Sequence, residues 1–118
     1  MASITGKVTE ELEPVVRVRL LSGREVSCLV DTGFTGALVL PLETVRKLNL
    51  PIVGDEFPVE MVGGEKTKAA LAIAEIEWLG EIRPIFVIIK DDYLLGSELL
   101  KDTELVIDYR KRTLSITN

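Results

Sequence analysis

The 118-residue chain contains no histidine and one cysteine, Cys28. Without histidine there is no Ser-His-Asp or Cys-His catalysis and no His-bearing zinc site, and a lone cysteine excludes every Cys-pair motif. Any catalysis must therefore run on carboxylates, Lys, Tyr or backbone groups. Basic residues are the minority: 14 Lys and Arg stand against 19 Asp and Glu, a formal net charge of −5. Non-specific binding to nucleic acid or anionic membranes rests on clustered cations, so neither partner is expected. The only dense basic run, Arg110-Lys111-Arg112, falls between two β-like segments and reads as a solvated hairpin turn. Long apolar runs are missing as well. Ile85 to Ile89 is far too short to span a bilayer, and the opening MASITGKVTEELEP has neither the basic start nor the apolar centre of a secretory signal. The expectation is one soluble, cytoplasmic domain over residues 1–118, long enough to bury a core without disulfides or a structural metal.

Strand signals dominate what is present. Val15 to Leu21 alternates apolar residues with arginine, Ser22 to Glu25 reads as a tight turn, and a hairpin into Val26–Asp31 follows. Cys28 shares a strand face with Val26 and Val30, opposite Asp31, and reads as core. Ala37 to Leu40 is a further short strand. Pro41 suits the first position of a helix carrying Leu42, Val45 and Leu48, which Asn49 and Pro51 end. Phe57 to Met61, the Gly63-Gly64 reversal and Lys66 to Trp78 make a second hairpin. The unbroken apolar run within Ile82–Ile89 predicts a strand buried on both faces, its start held at a sheet edge by Pro84. Asp91-Asp92 reads as a solvated loop and Trp78 as core or interface. Ser97 is placed to cap a short helix with Leu99 and Leu100, and Glu104–Tyr109 with Thr113–Thr117 forms a last hairpin. The fold class is mostly β with two short helices.

One segment carries chemistry. In VSCLVDTGFTG, Val26 to Gly36, an apolar strand runs into Asp31-Thr32-Gly33, delivering a costly acid into a turn that glycine permits. Thr32 offers a hydroxyl that can brace the turn or reach a partner, and Gly33 lets a backbone N–H approach the acid. Paired with a second carboxylate, such an acid can hold and activate a water. Two carboxylates about 3 Å apart at an effective dielectric of about 20 repel by roughly 5 kcal/mol, about four pKa units, and so share one proton near neutrality.

Asp31-Thr32-Gly33 behind an apolar strand, followed much later by Leu94-Leu95-Gly96 and a Leu-Leu helix, resembles the retropepsin-like aspartic proteases over nearly the whole chain. The Asp-Thr-Gly-Phe turn looks like that of a smaller prokaryotic branch of the same clan. The tail LLGSELLKDTELVIDYRKRTLSI is similar to the protease domain of DNA-damage-inducible ubiquitin-shuttle proteins. The resemblance implies a closed or partly closed acid-protease β-barrel with one lobe per chain. It implies Asp31 as catalytic acid, Thr32 as a brace across a subunit interface, and Gly33 as hydrogen-bond donor to the acid. Phe34, Met61, Val62, Gly63 and Gly64 would contact substrate, the last four as a flap, while Leu95 and Gly96 support the catalytic loop. Asp102-Thr103-Glu104 lacks the required glycine and follows a helix, so it reads as a surface turn. The second acid must then be Asp31 of another copy, which makes a homodimer a requirement. The implied activity is endopeptidase cleavage of a peptide or unfolded polypeptide by water, with no metal or organic cofactor. Two departures stand out: Phe34 occupies a position that is usually small, and Ser97 one that is Arg in viral members. A ring beside the catalytic turn leaves a second reading open, a non-hydrolytic module that keeps the fold and binds peptides or itself.

Overall fold

The computed structural model describes residues 1–60 and 64–118. Among them the chain runs through β1 (Ser3–Val8), β2 (Pro14–Leu20), β3 (Glu25–Val30), β4 (Leu38–Leu40), α1 (Leu42–Lys47), β5 (Ile52–Glu60) and β6 (Lys66–Trp78). It continues through β7 (Glu81–Ile89), β8 (Leu94–Leu95), α2 (Ser97–Leu100), β9 (Glu104–Asp108) and β10 (Thr113–Thr117).

Alternation explains the second and third strands. Val16, Val18 and Leu20 of β2 and Val26, Cys28 and Val30 of β3 are buried, while Arg17, Arg19 and Glu25 face water. The exposed pairs Arg17–Glu25 at 3.8 Å and Arg19–Glu77 at 3.5 Å add little stability, because water screens them. The sheet order is β5-β6-β7-β4-β8-β3-β2-β1-β10-β9, and β6 also pairs with β2 through Arg19↔Glu77 and Leu20↔Ile76. That second pairing closes β6-β7-β4-β8-β3-β2 into a ring, the partly closed barrel expected from the sequence. Trp78, 2% exposed, lies inside it and donates its indole N–H to the Leu99 carbonyl at 2.9 Å, tying α2 to the barrel.

In β4 all three residues are buried, because both of its faces are covered. Leu38 and Leu40 enter the main core. Val39 points into a second, smaller cluster with Phe34 and Leu94, bordered by Leu29 and Ile88. No buried residue among those described is polar or charged.

Several expectations need correction. Strand β7 is not buried on both faces: Ile85 and Val87 are inside, whereas Ile82 is 56% and Phe86 58% exposed. The outer face is covered only at its C-terminal end, where Ile88 borders the small cluster, so the apolar run reflects β propensity and a largely uncovered outer face rather than double burial along the strand. Pro84 does lie at an edge, since β4 pairs only with Val87–Ile89 and leaves the first half of β7 bordered by β6 alone. Pro41 is the N-cap of α1, not its first helical residue, because its backbone is still extended (φ −66°, ψ 153°). Arg24 reaches across to cap the other end, donating from Nη1 to the Lys47 carbonyl at 2.6 Å. Strand β1, unread in the sequence, is held between β2 and β10. The basic run is the turn of the β9–β10 hairpin, where Asp108 Oδ1 accepts the N–H groups of Arg110 and Lys111 at 2.9 and 3.0 Å. No helix among the described residues is long and apolar enough to cross a membrane.

Candidate active site

The site is built where three strands meet. Strand β8, two residues long, lies between β3 and β4, parallel to the first (Leu29↔Leu94, Val30↔Leu95) and antiparallel to the second (Leu38↔Leu95, Val39↔Leu94). The pairing of β3 with β8 is flanked by two further hydrogen bonds: Leu29 N–H donates to the Tyr93 carbonyl, and Asp31 N–H to the Leu95 carbonyl, each at 2.9 Å. Asp31 therefore leaves the sheet at a fixed height, its backbone held by a residue that is itself fully buried.

Beyond this point the chain turns sharply. Gly33 N–H donates to Asp31 Oδ1 at 2.9 Å, and Phe34 N–H donates to the Asp31 carbonyl at 3.2 Å. One carboxylate oxygen is thereby oriented by the turn. Asp31 is half-buried, whereas Thr32 and Gly33 are exposed. The turn thus presents an acid, a hydroxyl and a glycine backbone on the outside of the lobe.

Under the turn, three consecutive N–H groups at the start of α2 rise to meet it. Gly96 donates to the Ala37 carbonyl at 2.9 Å, Ser97 to the Phe34 carbonyl at 2.8 Å and Glu98 to the Gly36 carbonyl at 3.3 Å. Ser97 is consequently the first residue of α2 and not its cap; the loop carbonyls satisfy the free N–H groups that a capping side chain would otherwise take. Leu95 and Gly96 lie against the Asp31 loop, the first accepting the Asp31 N–H and the second donating to the Ala37 carbonyl.

Phe34 sits differently from the expected substrate contact. Its ring is 1% exposed, packed in the small cluster with Val39 and Leu94, so it offers no surface to a ligand of this lobe. The cause is room on both sides of the ring, supplied by Gly36 and Gly96, whose missing side chains would collide with it. Gly36 had no role in the sequence reading, although a second glycine three residues after Gly33 was the available signal. Of the expected flap, Met61, Val62 and Gly63 lie outside the described residues. Gly64 is exposed with φ +78°, a left-handed backbone that suits glycine, and it lies between Glu60 and Lys66, the last described pair of the β5–β6 ladder.

Other candidates fall outside the site. Asp102 lies in the turn after α2 with φ +61°, and Thr103 Oγ1 donates to the Leu100 carbonyl at 2.6 Å. Asp91 and Asp92 are exposed, the latter accepting the Tyr93 N–H at 2.9 Å. Cys28 is fully enclosed on the inner face of β3, and burial pushes its thiol up from 9.0 to about 12, which removes it as a nucleophile.

No family model matches the chain. A protein of Archaeoglobus fulgidus described as uncharacterized is 27% identical over 114 residues, spanning 89% of this chain and 87% of the relative. Among solved structures, the retropepsin-like aspartic protease from Rickettsia conorii superposes with a TM-score of 0.67 at 20% identity, over 97% of this chain and 89% of that one. The EIAV protease, solved with the inhibitor HBY-793, gives a TM-score of 0.57 at 20% identity, over 80% and 90% of the two chains. This chain has the fold of the retropepsin-like aspartic proteases.

Proposed function

We propose that the chain is one half of a homodimeric aspartic endopeptidase that hydrolyses peptide or unfolded polypeptide in the cytoplasm. The observation that carries the reading is Asp31, leaving β3 half-buried, its backbone bonded to Leu95 and its Oδ1 bonded to the Gly33 N–H. Within this fold, such a turn is an acid held for use and not one dispersed in solvent. The chain's one cysteine allows no internal disulfide, which suits a reducing compartment.

Two Asp31 carboxylates, one from each subunit, would share a proton across the two-fold axis. The ionised member takes a proton from water as the oxygen attacks the scissile carbonyl carbon, and the protonated member gives its proton to the carbonyl oxygen. Collapse of the tetrahedral species breaks the C–N bond, and a proton passes to the departing amine. Thr32, exposed at the turn, is suited to brace the opposite subunit. The segment Met61 to Gly64 is assigned to cover an extended peptide, held as an added strand. No step calls for a metal or organic cofactor.

The test is incubation of the protein with a reduced, alkylated polypeptide from acidic to neutral pH, with fragments read by mass spectrometry. Cleavage by the wild type and its loss in Asp31→Asn, with the unfolding transition unchanged, is expected; equal cleavage by both would sink the assignment. Phe34, whose place beside the turn motivated the non-hydrolytic reading, has its ring in the interior. No specific observation now favours that alternative.

A further inference from the structure

Phe34 joins the acid-bearing turn to the helix beneath it by both its main chain and its side chain. Its N–H closes the turn on the Asp31 carbonyl at 3.2 Å, and its carbonyl receives the Ser97 N–H at 2.8 Å. The ring meanwhile lies against two glycines from different parts of the chain. A methyl group built on Gly36 would fall 2.6 Å from the ring Cζ and 2.9 Å from Cε1, and the three nearest atoms all belong to that ring. On Gly96 a methyl group would meet the ring Cδ2 at 2.5 Å, the Phe34 carbonyl oxygen at 2.6 Å, and the Gly36 carbonyl oxygen. These separations are shorter than packed carbons tolerate. Ring and glycines therefore specify one another.

We infer that Phe34 is a positioning residue for Asp31: its ring, wedged between Gly36 and Gly96, fixes the height and tilt of the turn that presents the carboxylate. The inference rests on the reading of Asp31 as half of a shared-proton pair. Phe34 reaches no reacting atom. It acts on the chemistry through geometry, because a displacement of about 1 Å at a reacting group costs on the order of 100-fold in rate.

A buried Phe removed from a packed cluster destabilises any protein, so the decisive readouts are ones that packing alone does not move. The first is the pH profile. With the ring gone the turn relaxes, the paired carboxylates separate and their repulsion weakens, so the upper of the two apparent pKa values falls. The alkaline limb of the cleavage profile should shift to lower pH in Phe34→Ala, with a rate about 100-fold down. Phe34→Leu, which refills much of the volume, should recover most of both. If Phe34→Ala does not fold, Gly36→Ala in the wild-type background carries this comparison, since its methyl group displaces the same ring and should move the alkaline limb the same way.

The second readout is a pair of double-mutant cycles on the full chain, followed by thermal unfolding. Gly36→Ala should lower the Tm of the wild type yet leave that of Phe34→Ala unchanged or higher, since only ring atoms stand in the way of the new methyl group. Gly96→Ala should lower the Tm in both backgrounds, since carbonyl oxygens block it with or without the ring. Additive effects of the substitutions at 34 and 36 would overturn the wedge. A Phe34→Ala pH profile superimposable on that of an active wild type, per mole of folded protein, would overturn the positioning role while leaving the protease reading intact. A folded wild type that cleaves nothing at any pH would overturn both.

Discussion

Cys28 illustrates how one buried group links packing to pH. Burial holds its thiol protonated up to about 12, against 9.0 for the free group. In the unfolded chain the same thiol ionises in the ordinary range, so above that range unfolding releases a proton. The contribution is complete below pH 9 and is lost as pH rises toward about 12, by at most about 1.4 kcal/mol per unit. Urea midpoints followed from about pH 8 to about pH 10.5 should fall more steeply for the wild type than for Cys28→Ala, which has no thiol to ionise. Identical slopes would show that the thiol is not the group responsible. Cys28 was readable from alternation alone, since its face follows from Val26 and Val30. Phe34 was not. A loop side chain has no period to read, and the direction of this ring depends on Gly96, which is remote in sequence and adjacent only after β8 has paired with β3 and β4.

Among the elements, legibility followed the regularity of the pattern. Strand β6 came out of the sequence with its observed bounds, Lys66 to Trp78, because alternation is clean at its C-terminal end and Gly80 follows. Strand β5 is longer than its readable part, since register irregularities between Ile52 and Phe57 break the period of two. Strand β8 is too short to carry a periodicity of its own, so Leu94 and Leu95 were legible through the motif they form with Gly96 and not as a strand. Strand β1 alternates weakly around Gly6 and takes its place from β10. Strand β7 shows what a free edge demands. Its ladder with β6 continues from Ala70↔Ile89 to Trp78↔Glu81 straight through Pro84, so the donor that proline lacks is not one this ladder needs. The gap instead falls on the open side, where Ile82 and Phe86 already expose apolar surface. Pro84→Val should restore a donor there and promote edge-to-edge association, seen as a rise in scattering mass at unchanged secondary structure. A variant that stays as dispersed as the wild type would show that the edge is protected by other means.

For the molecule as a whole, the proposed reaction needs two lobes, and activity must therefore follow the monomer–dimer equilibrium. Below the dissociation constant, the cleavage rate should rise with roughly the square of total protein, becoming linear once the dimer dominates. A rate that stays linear in protein at concentrations where the chain sediments as a monomer would require a second acid within one chain, and no such turn is found among the described residues. The acid itself was visible in the sequence because Asp-Thr-Gly is contiguous. The support beneath it, three N–H groups meeting three carbonyls, is a property of assembled backbone that no residue type announces. The seam that closes the barrel, Arg19 with Glu77 and Leu20 with Ile76, has a bearing on how the chain folds. These residues belong to two separate hairpins, and the entropy of the long loop between them is recovered only after each hairpin exists. Closure at β2–β6 is thus a late event, the native basin is reached slowly for a chain of this size, and weakening the seam should chiefly hasten unfolding while leaving the refolding rate nearly untouched.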